Sequence, residues 1–399
     1  MNPTNKNENL IQGFDLELFL TQNKHLDGET FLLRDKSSTI FLKGLLANQL
    51  NLYPKAKNKL PTFFNNYCWF SPKGFEQCSS EATALHKSCL FSGENLLDLS
   101  GGLGVDDWAF SKTFEQIISL DPDNELNFLV RENFRKLGVS NVNRIDLTAE
   151  VYLEQNANLN FDLIFLDADR RNPDGKDYSL EGGSPSYPEL KNQLLRQGKK
   201  ILLKLSPMAD ISYLSRNISH LKQLIVIGYK SEVKEILAEI EPNYLGDVKV
   251  LAHVLDQNET FSKWPNENSM PKPNVKDDLY FFETHNALVK ANLSKEYLGA
   301  NEIETWGVSG IFGMARFEPK DFMGRMFLVK KIMSYQKSEL KRYFKTLGIN
   351  QANFTKRNFP TQIEVLRKTF GILEGGSDYF FFTQMEDGSL EVCHCIKIF

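Results

Sequence analysis

Three features of the sequence predict an α/β protein built on an open sheet. The run Leu96-Leu97-Asp98-Leu99 passes into Ser100-Gly101-Gly102-Leu103-Gly104 and then into an amphipathic stretch from Asp107 to Phe114. That pattern reads as a strand, a tight glycine turn and a helix start. Four successive apolar segments each carry an acid at or just after their ends: Asp98, Asp121, Asp146 and Asp167. Residues 326–399 alternate short strand and helix patterns a second time.

Length and composition fit a multidomain globular chain. With 399 residues, two or three domains are expected, and an apolar fraction of 41% suits a packed interior. No apolar run approaches the ~18 residues of a membrane span. The start, Met1 to Asn9, is polar and lacks the apolar core of a secretory signal, so a cytoplasmic location is expected. The five cysteines, Cys68, Cys78, Cys89, Cys393 and Cys395, are sparse and odd in number, which points to reduced thiols. Cys393 and Cys395 share one face of a strand and His394 points to the other. With no second ligand pair nearby, no metal site is expected.

Residues 1–91 read as a helical region. Phe14–Asn23 and Thr39–Asn51 have helical apolar spacing, and Pro54 and Pro61 read as breaks. Ser79 and Ser80 precede a helix running to Leu90 and suit its N-cap. The segment leads directly into the first strand of the sheet, so Gln77, Ser79 and Ser80 are also candidates for a lid over whatever binds there.

The glycine turn excludes two ligand classes. A phosphate-binding P-loop needs Lys-Ser or Lys-Thr after its glycines, and none follows here. A dinucleotide fingerprint would place Asp107 at its third glycine and Asp98 beside a pyrophosphate, two negative groups at close range. A cationic cofactor without phosphate suits Asp98 better. Asp121 lies a little over ~20 residues beyond the first strand, the offset of a ribose-binding carboxylate. Asp167 ends the fourth strand, Phe161–Asp167, and a polar loop with Arg170 and Arg171 follows. Those arginines could grip a phosphate or carboxylate, or simply face solvent. Lys204 ends the next strand at the same edge. Leu224–Tyr229 and Val248–Leu255 would complete a seven-stranded sheet, with Glu232–Ile240 as a short helix between them.

Asp98-x-Ser100-Gly101-Gly102-x-Gly104 resembles motif I of the class I S-adenosylmethionine-dependent methyltransferases, whose sheet is Rossmann-like. Glu76-Gln77-Cys78-Ser79-Ser80-Glu81, Asp167-x-Asp169-Arg170-Arg171 and Lys204-Leu205-Ser206-Pro207-Met208 accompany it in that order. Together they resemble the bacterial methyltransferases that carry a THUMP-like C-terminal domain. Relatives often have proline after the fourth-strand acid, where this chain has Ala168. The resemblance implies S-adenosyl-L-methionine as cofactor, held by Asp98, Ser100, Gly101, Gly102, Gly104, Asp121 and Asp146. It implies a catalytic role for Asp167 in orienting or deprotonating the acceptor. Gln77, Ser79, Ser80, Arg170, Arg171 and Lys204 would contact substrate.

The expected organisation is a helical region over 1–91, a catalytic domain over 92–258, a connecting segment over 259–325 and a basic THUMP-like module over 326–399. From Lys320 to Phe370 there are twelve Lys or Arg against three Asp or Glu, a net of 12 − 3 = +9 in a chain of net −4. Lys341, Arg342, Lys345, Lys356, Arg357, Arg367 and Lys368 are the candidate phosphate contacts. A solvated basic face is the plain alternative; the THUMP resemblance favours RNA. Three functions remain open from sequence: an RNA methyltransferase, a small-molecule or protein methyltransferase, and a cofactor-binding module without catalysis.

Overall fold

The computed structural model describes residues 11–34, 39–167, 171–172, 175–176, 183–262, 278–319 and 321–398. Arg170 and the expected loop around it fall outside the described residues, and of Arg171 only the backbone is described. The chain divides into two units, Met1–Gln223 with Ile236–Val248, and Leu224–Glu235 with Lys249–Phe399.

The first unit opens with helices Leu16–Asn23, Gly28–Arg34, Ile40–Lys59, Pro61–Asn65, Pro72–Gln77 and Glu81–Leu90. Pro54 does not end a helix; it lies within Ile40–Lys59. Leu46, Ala47, Leu50, Tyr53 and Ala56 of that helix are buried on both sides of the proline, so packing outweighs the lost backbone bond. Pro61 does act at a boundary, as the first residue of the next helix. Ser80 caps Glu81–Leu90, its Oγ accepting from the Thr83 amide at 3.2 Å, as its residue type suggests.

The strands of this unit are β1 (Gly93–Asp98), β2 (Phe114–Leu120), β3 (Val142–Ile145), β4 (Leu163–Leu166), the two-residue β5 (Arg171–Asn172) and β6 (Gly175–Lys176), β7 (Ile201–Leu205), β8 (Leu221–Tyr229) and β9 (Glu232–Ile240). The last two run across the division between the units. Among the described residues the main sheet has nine strands, and from β8 onward its order is β8-β9-β7-β4-β1-β2-β3. Strands β1, β2, β3, β4 and β7 are parallel, and β9 is antiparallel to β7. Leu96, Leu97, Ile164 and Phe165 at the sheet centre are at most 1% exposed. Each contributes about 1.5–3 kcal/mol of apolar burial. Strand order reverses between β1 and β4, so their C-terminal ends flank the crevice in which such sheets bind ligands.

One expectation fails here. Glu232–Ile240 is a strand and not a helix, and it lies between β8 and β7 in the sheet. The strand read over Val248–Leu255 forms as β10 (Lys249–Val254) and continues the same sheet beside β8. It pairs with β11 (Glu259–Ser262), so the connecting segment expected over 259–325 begins with a strand.

The second unit continues with β12 (Tyr280–Thr284), β13 (Glu304–Thr305), β14 (Phe312–Ala315), β15 (Gly324–Ser334), β16 (Asn353–Arg357), β17 (Asp378–Gln384) and β18 (Leu390–Lys397). They form a sheet in the order β13-β14-β12-β15-β18-β17-β16, with only β16 and β17 parallel. Helices Lys337–Leu347 and Ile363–Phe370 bury Leu340, Phe344, Leu366 and Phe370 against Phe380, Phe382 and Val392. A separate cluster holds Phe281, Phe327, Phe381, Cys393 and Cys395. The hairpin turn at Asp387-Gly388 forms as read, with Gly388 at a φ of 84°.

Candidate active site

The site is built at the ends of β1, β2, β3 and β4. The Gly101 amide donates to the Leu120 carbonyl at 2.8 Å, which pulls the turn onto β2. The three glycines have different reasons. A Cβ at Gly101 would lie 2.0 Å from Arg144 Nη1 and 2.3 Å from Ser119 Oγ. Gly104 has a φ of 73°, and a Cβ there would press on Val130 and Phe134. Gly102 has a φ of 48° but open space around it, with nothing closer than the Ser100 carbonyl at 3.7 Å. Gly101 and Gly104 are therefore required by packing. Gly102 offers bare backbone to a ligand.

Arg144, buried on β3, organises the turn. Its Nη2 donates to the Gly102 carbonyl at 2.8 Å, its Nη1 to Asp107 Oδ2 and Ser119 Oγ at 3.0 Å each, and its Nε to Asn127 Oδ1 at 2.9 Å. Asn127 Nδ2 in turn reaches the Asp121 carbonyl and Asp146 Oδ1, both at 2.7 Å. This network was not read from sequence. The signal available was a charged residue inside a short strand whose neighbours, Val142 and Ile145, are apolar; such a charge needs a buried partner.

Asp121 stands at the end of β2. Its Oδ2 accepts from the Gly102 amide at 3.1 Å and its Oδ1 from the Asp123 amide at 2.9 Å. Burial raises its pKa. Each oxygen keeps lone pairs for a diol. Asp146 follows β3 and accepts from Asn127 and Arg131, both on Oδ1 at 2.7 Å. Beside it opens a cavity of about 480 Å³ lined by Leu45, Asn48, Asp123, Phe128, Arg131 and Asp146, among others. An aromatic wall with a carboxylate at its edge has the chemistry to take a purine base.

Asp98 takes a different place from the one expected. At 1% exposure it is shut away from the crevice, and its Oδ1 accepts from Ser100 N at 2.8 Å and Ser100 Oγ at 3.1 Å. Its work is to hold the turn. Burial and the neighbouring Asp107 carboxylate raise its pKa well above the usual range. Ser100 also accepts the Asp167 amide on its Oγ at 2.7 Å, tying β1 to the end of β4.

Asp167 and Lys204 meet, with Nζ 2.5 Å from Oδ2. Lys204 is therefore a partner of the acid at the end of β4 before it is anything else. Ser79 donates to Asp106 Oδ2 at 2.8 Å and accepts from the fully buried Lys87 at 3.1 Å; Lys87 also lies 3.1 Å from Asp106 Oδ1. Burial opposes ionisation of Asp106, but Lys87 and Lys204 outweigh it and hold the carboxyl below its usual range. The Ser79 hydroxyl is thus engaged inside the protein. Ser80 is a helix cap, and Gln77 ends helix Pro72–Gln77, half-buried.

In the second unit Lys341, Arg342 and Lys345 are exposed on one helix and form no ion pair among the described residues. Three other expected phosphate contacts are engaged internally. Lys356 donates to the Phe359 carbonyl, Arg367 to the Ala352 carbonyl, and Arg357 lies 4.0 Å from Glu283. Cys393 and Cys395 share a buried face, and His394 on the other bonds Tyr343 and Asp378. Among the described residues no cluster of His, Cys, Asp and Glu could hold a metal, and no helix is long and apolar enough to cross a membrane.

Residues 324–396 match the family model described as THUMP domain-like. Over 97% of its length the chain aligns with the whole of a crystal structure called a "putative methyltransferase" from Porphyromonas gingivalis W83, at 26% identity and a TM-score of 0.80. An rRNA methylase from Streptococcus thermophilus aligns with 40% of the chain over 93% of its own, at 12% identity and a TM-score of 0.30. M. capricolum TrmK, in complex with S-adenosyl-homocysteine, aligns with 42% over 70% of its own, at 15% and 0.31. Curated proteins give no sequence match. The chain has the α/β fold of a class I methyltransferase followed by a THUMP-like domain.

Proposed function

We propose that this protein is an S-adenosyl-L-methionine-dependent methyltransferase that acts on RNA. The observation that carries the reading is one crevice edge. There Gly102 bares its backbone, Asp121 beside it keeps lone pairs on both oxygens, and Asp146 borders the cavity of about 480 Å³. These residues fit a nucleoside without phosphate. The likeness to the Porphyromonas gingivalis protein supports the same class.

When bound, the cofactor supplies an electrophilic methyl on an already cationic leaving group, so the protein's task is alignment and exclusion of water. Asp121 would accept from a ribose diol of the cofactor, and Asp146 would accept from its base amine. Asp167, fixed through its amide by Ser100 and through Oδ2 by Lys204, presents Oδ1 to the acceptor and takes its proton or orients its lone pair. The RNA part of the proposal rests on the THUMP-like match and on the exposed cations of helix Lys337–Leu347.

Calorimetry tests the cofactor part. S-adenosyl-L-methionine and S-adenosyl-homocysteine are expected to bind the full chain, and Asp121→Ala to weaken both at least tenfold, the cost of one charge-assisted bidentate contact. Binding unaffected by Asp121→Ala would remove this edge as the cofactor site.

A further inference from the structure

Asp98 and Asp107 lie in side-chain contact inside the first unit, at 1% and 0% exposure. Their donors can be counted. Asp107 Oδ2 accepts from Ser119 Oγ at 2.6 Å and from Arg144 Nη1 at 3.0 Å, whereas Asp107 Oδ1 has no donor among the described residues. Asp98 Oδ1 accepts from the Ser100 amide and hydroxyl. The Ser100 hydrogen has no other course, because its oxygen already accepts the Asp167 amide. The charged groups that act on the pair are Asp106, next to Asp107 in sequence, and Arg144 on β3, and the hydroxyls of Ser100 and Ser119 donate to it. Two buried carboxylates and one guanidinium leave one negative charge and one acceptor oxygen uncompensated, which buried groups rarely tolerate. A single hydrogen on Asp98, donated to Asp107 Oδ1, closes both accounts at once.

We propose that Asp98 is a neutral carboxylic acid sharing one proton with Asp107, and that Ser100 relays this fixed pair to the backbone of Asp167 as a positioning residue. The relay is a chain of hydrogen bonds in one direction: Arg144 fixes Asp107, Asp107 accepts from the Asp98 carboxyl, Asp98 accepts from the Ser100 hydroxyl, and Ser100 accepts from the Asp167 amide. Raised carboxyl pKa values at both acids agree with this, with burial as the main cause. The negative charge expected from sequence at the glycine turn is then absent, and any cationic ligand there meets a neutral turn. The last link, to Asp167, rests on the methyltransferase reading; the shared proton does not.

The proton is tested without ligand or turnover. Full-length protein carrying ¹³C-labelled aspartate is read at pH 7, with Asp98→Asn assigning the Asp98 carboxyl resonance. A carbonyl shift of the protonated acid is expected, and an ionised shift overturns the shared proton. The relay is tested with Ser100→Ala. S-adenosyl-homocysteine should bind within about threefold of the parent, while the turnover number falls about tenfold and Ser100→Thr restores it. An unchanged turnover number, or equal loss in binding and turnover, overturns the relay. Absence of transfer to any acceptor in the parent protein would remove the methyltransferase reading and the relay with it, and leave the carbon shift to decide the proton.

Discussion

At the scale of single residues, two adjacent glycines separate packing from ligand access. Gly101→Ala would drive a methyl into Arg144 and Ser119 and break the network that shapes the turn. Cofactor affinity is expected to fall more than tenfold, with a clear loss of thermal stability. Gly102→Ala meets open space and carries only the strain of its left-handed backbone, about 1 kcal/mol. Calorimetry and thermal unfolding of both variants check the contrast. Asp98 has an unusual pH signature. Its folded pKa is raised, so between the unfolded value near ~4 and the folded one the native state binds the extra proton. The contribution of this group is fully present below that window and declines as pH rises through it, on the order of 1 kcal/mol per pH unit. Asp98→Asn is expected to gain stability relative to the parent from pH 4 upward; a difference that stays flat with pH contradicts a raised Asp98. The positions of Asp98, Asp121 and Asp146 were legible because an acid at a strand end is a local pattern. The roles of Arg144 and Asp107 were not, because their partner lies 37 residues away in sequence and only the closed sheet brings them together.

At the scale of elements, the β8–β9 hairpin shows where periodicity misleads. Val233, Ile236, Leu237 and Ile240 sit at helical spacing, yet residues 235–240 are buried on both faces of a strand. A strand covered on both sides loses the alternation that identifies it. The acids Glu235 and Glu239 are buried with it, and Glu239 is met by Gln223 at 2.5 Å with Lys200 and Lys222 each 3.8 Å away. The C-terminal elements were legible because their helices are amphipathic and the Asp387-Gly388 turn is specific. Helix Lys337–Leu347 has its apolar side buried on Leu340 and Phe344 and its cations outward. Reversing Lys341, Arg342 and Lys345 to glutamate is expected to weaken RNA binding and reduce the slope of log affinity against log salt by about three. The thermal midpoint should hardly move, since the side chains are exposed. An unchanged salt slope would take this helix out of any RNA contact.

At the scale of the whole molecule, the second unit carries three buried histidines. Burial lowers the pKa of His253, His285 and His394. Each stays neutral in the fold while the unfolded chain takes up a proton below about pH 6.5. Their contribution is present above that value and is lost as pH falls toward the folded pKa values, on the order of 1 kcal/mol per histidine per pH unit. Unfolding of the full chain is therefore expected at lower denaturant at pH 5.5 than at pH 7.5, and His394→Phe should reduce the difference. The measurement that bears most directly on function is transfer of a radiolabelled methyl group from S-adenosyl-L-methionine into a cell extract lacking this protein, resolved into RNA, protein and small molecules. Label in RNA that disappears with Asp167→Ala is the expected result. Label only in another fraction, or none while the cofactor still binds, would contradict an RNA methyltransferase.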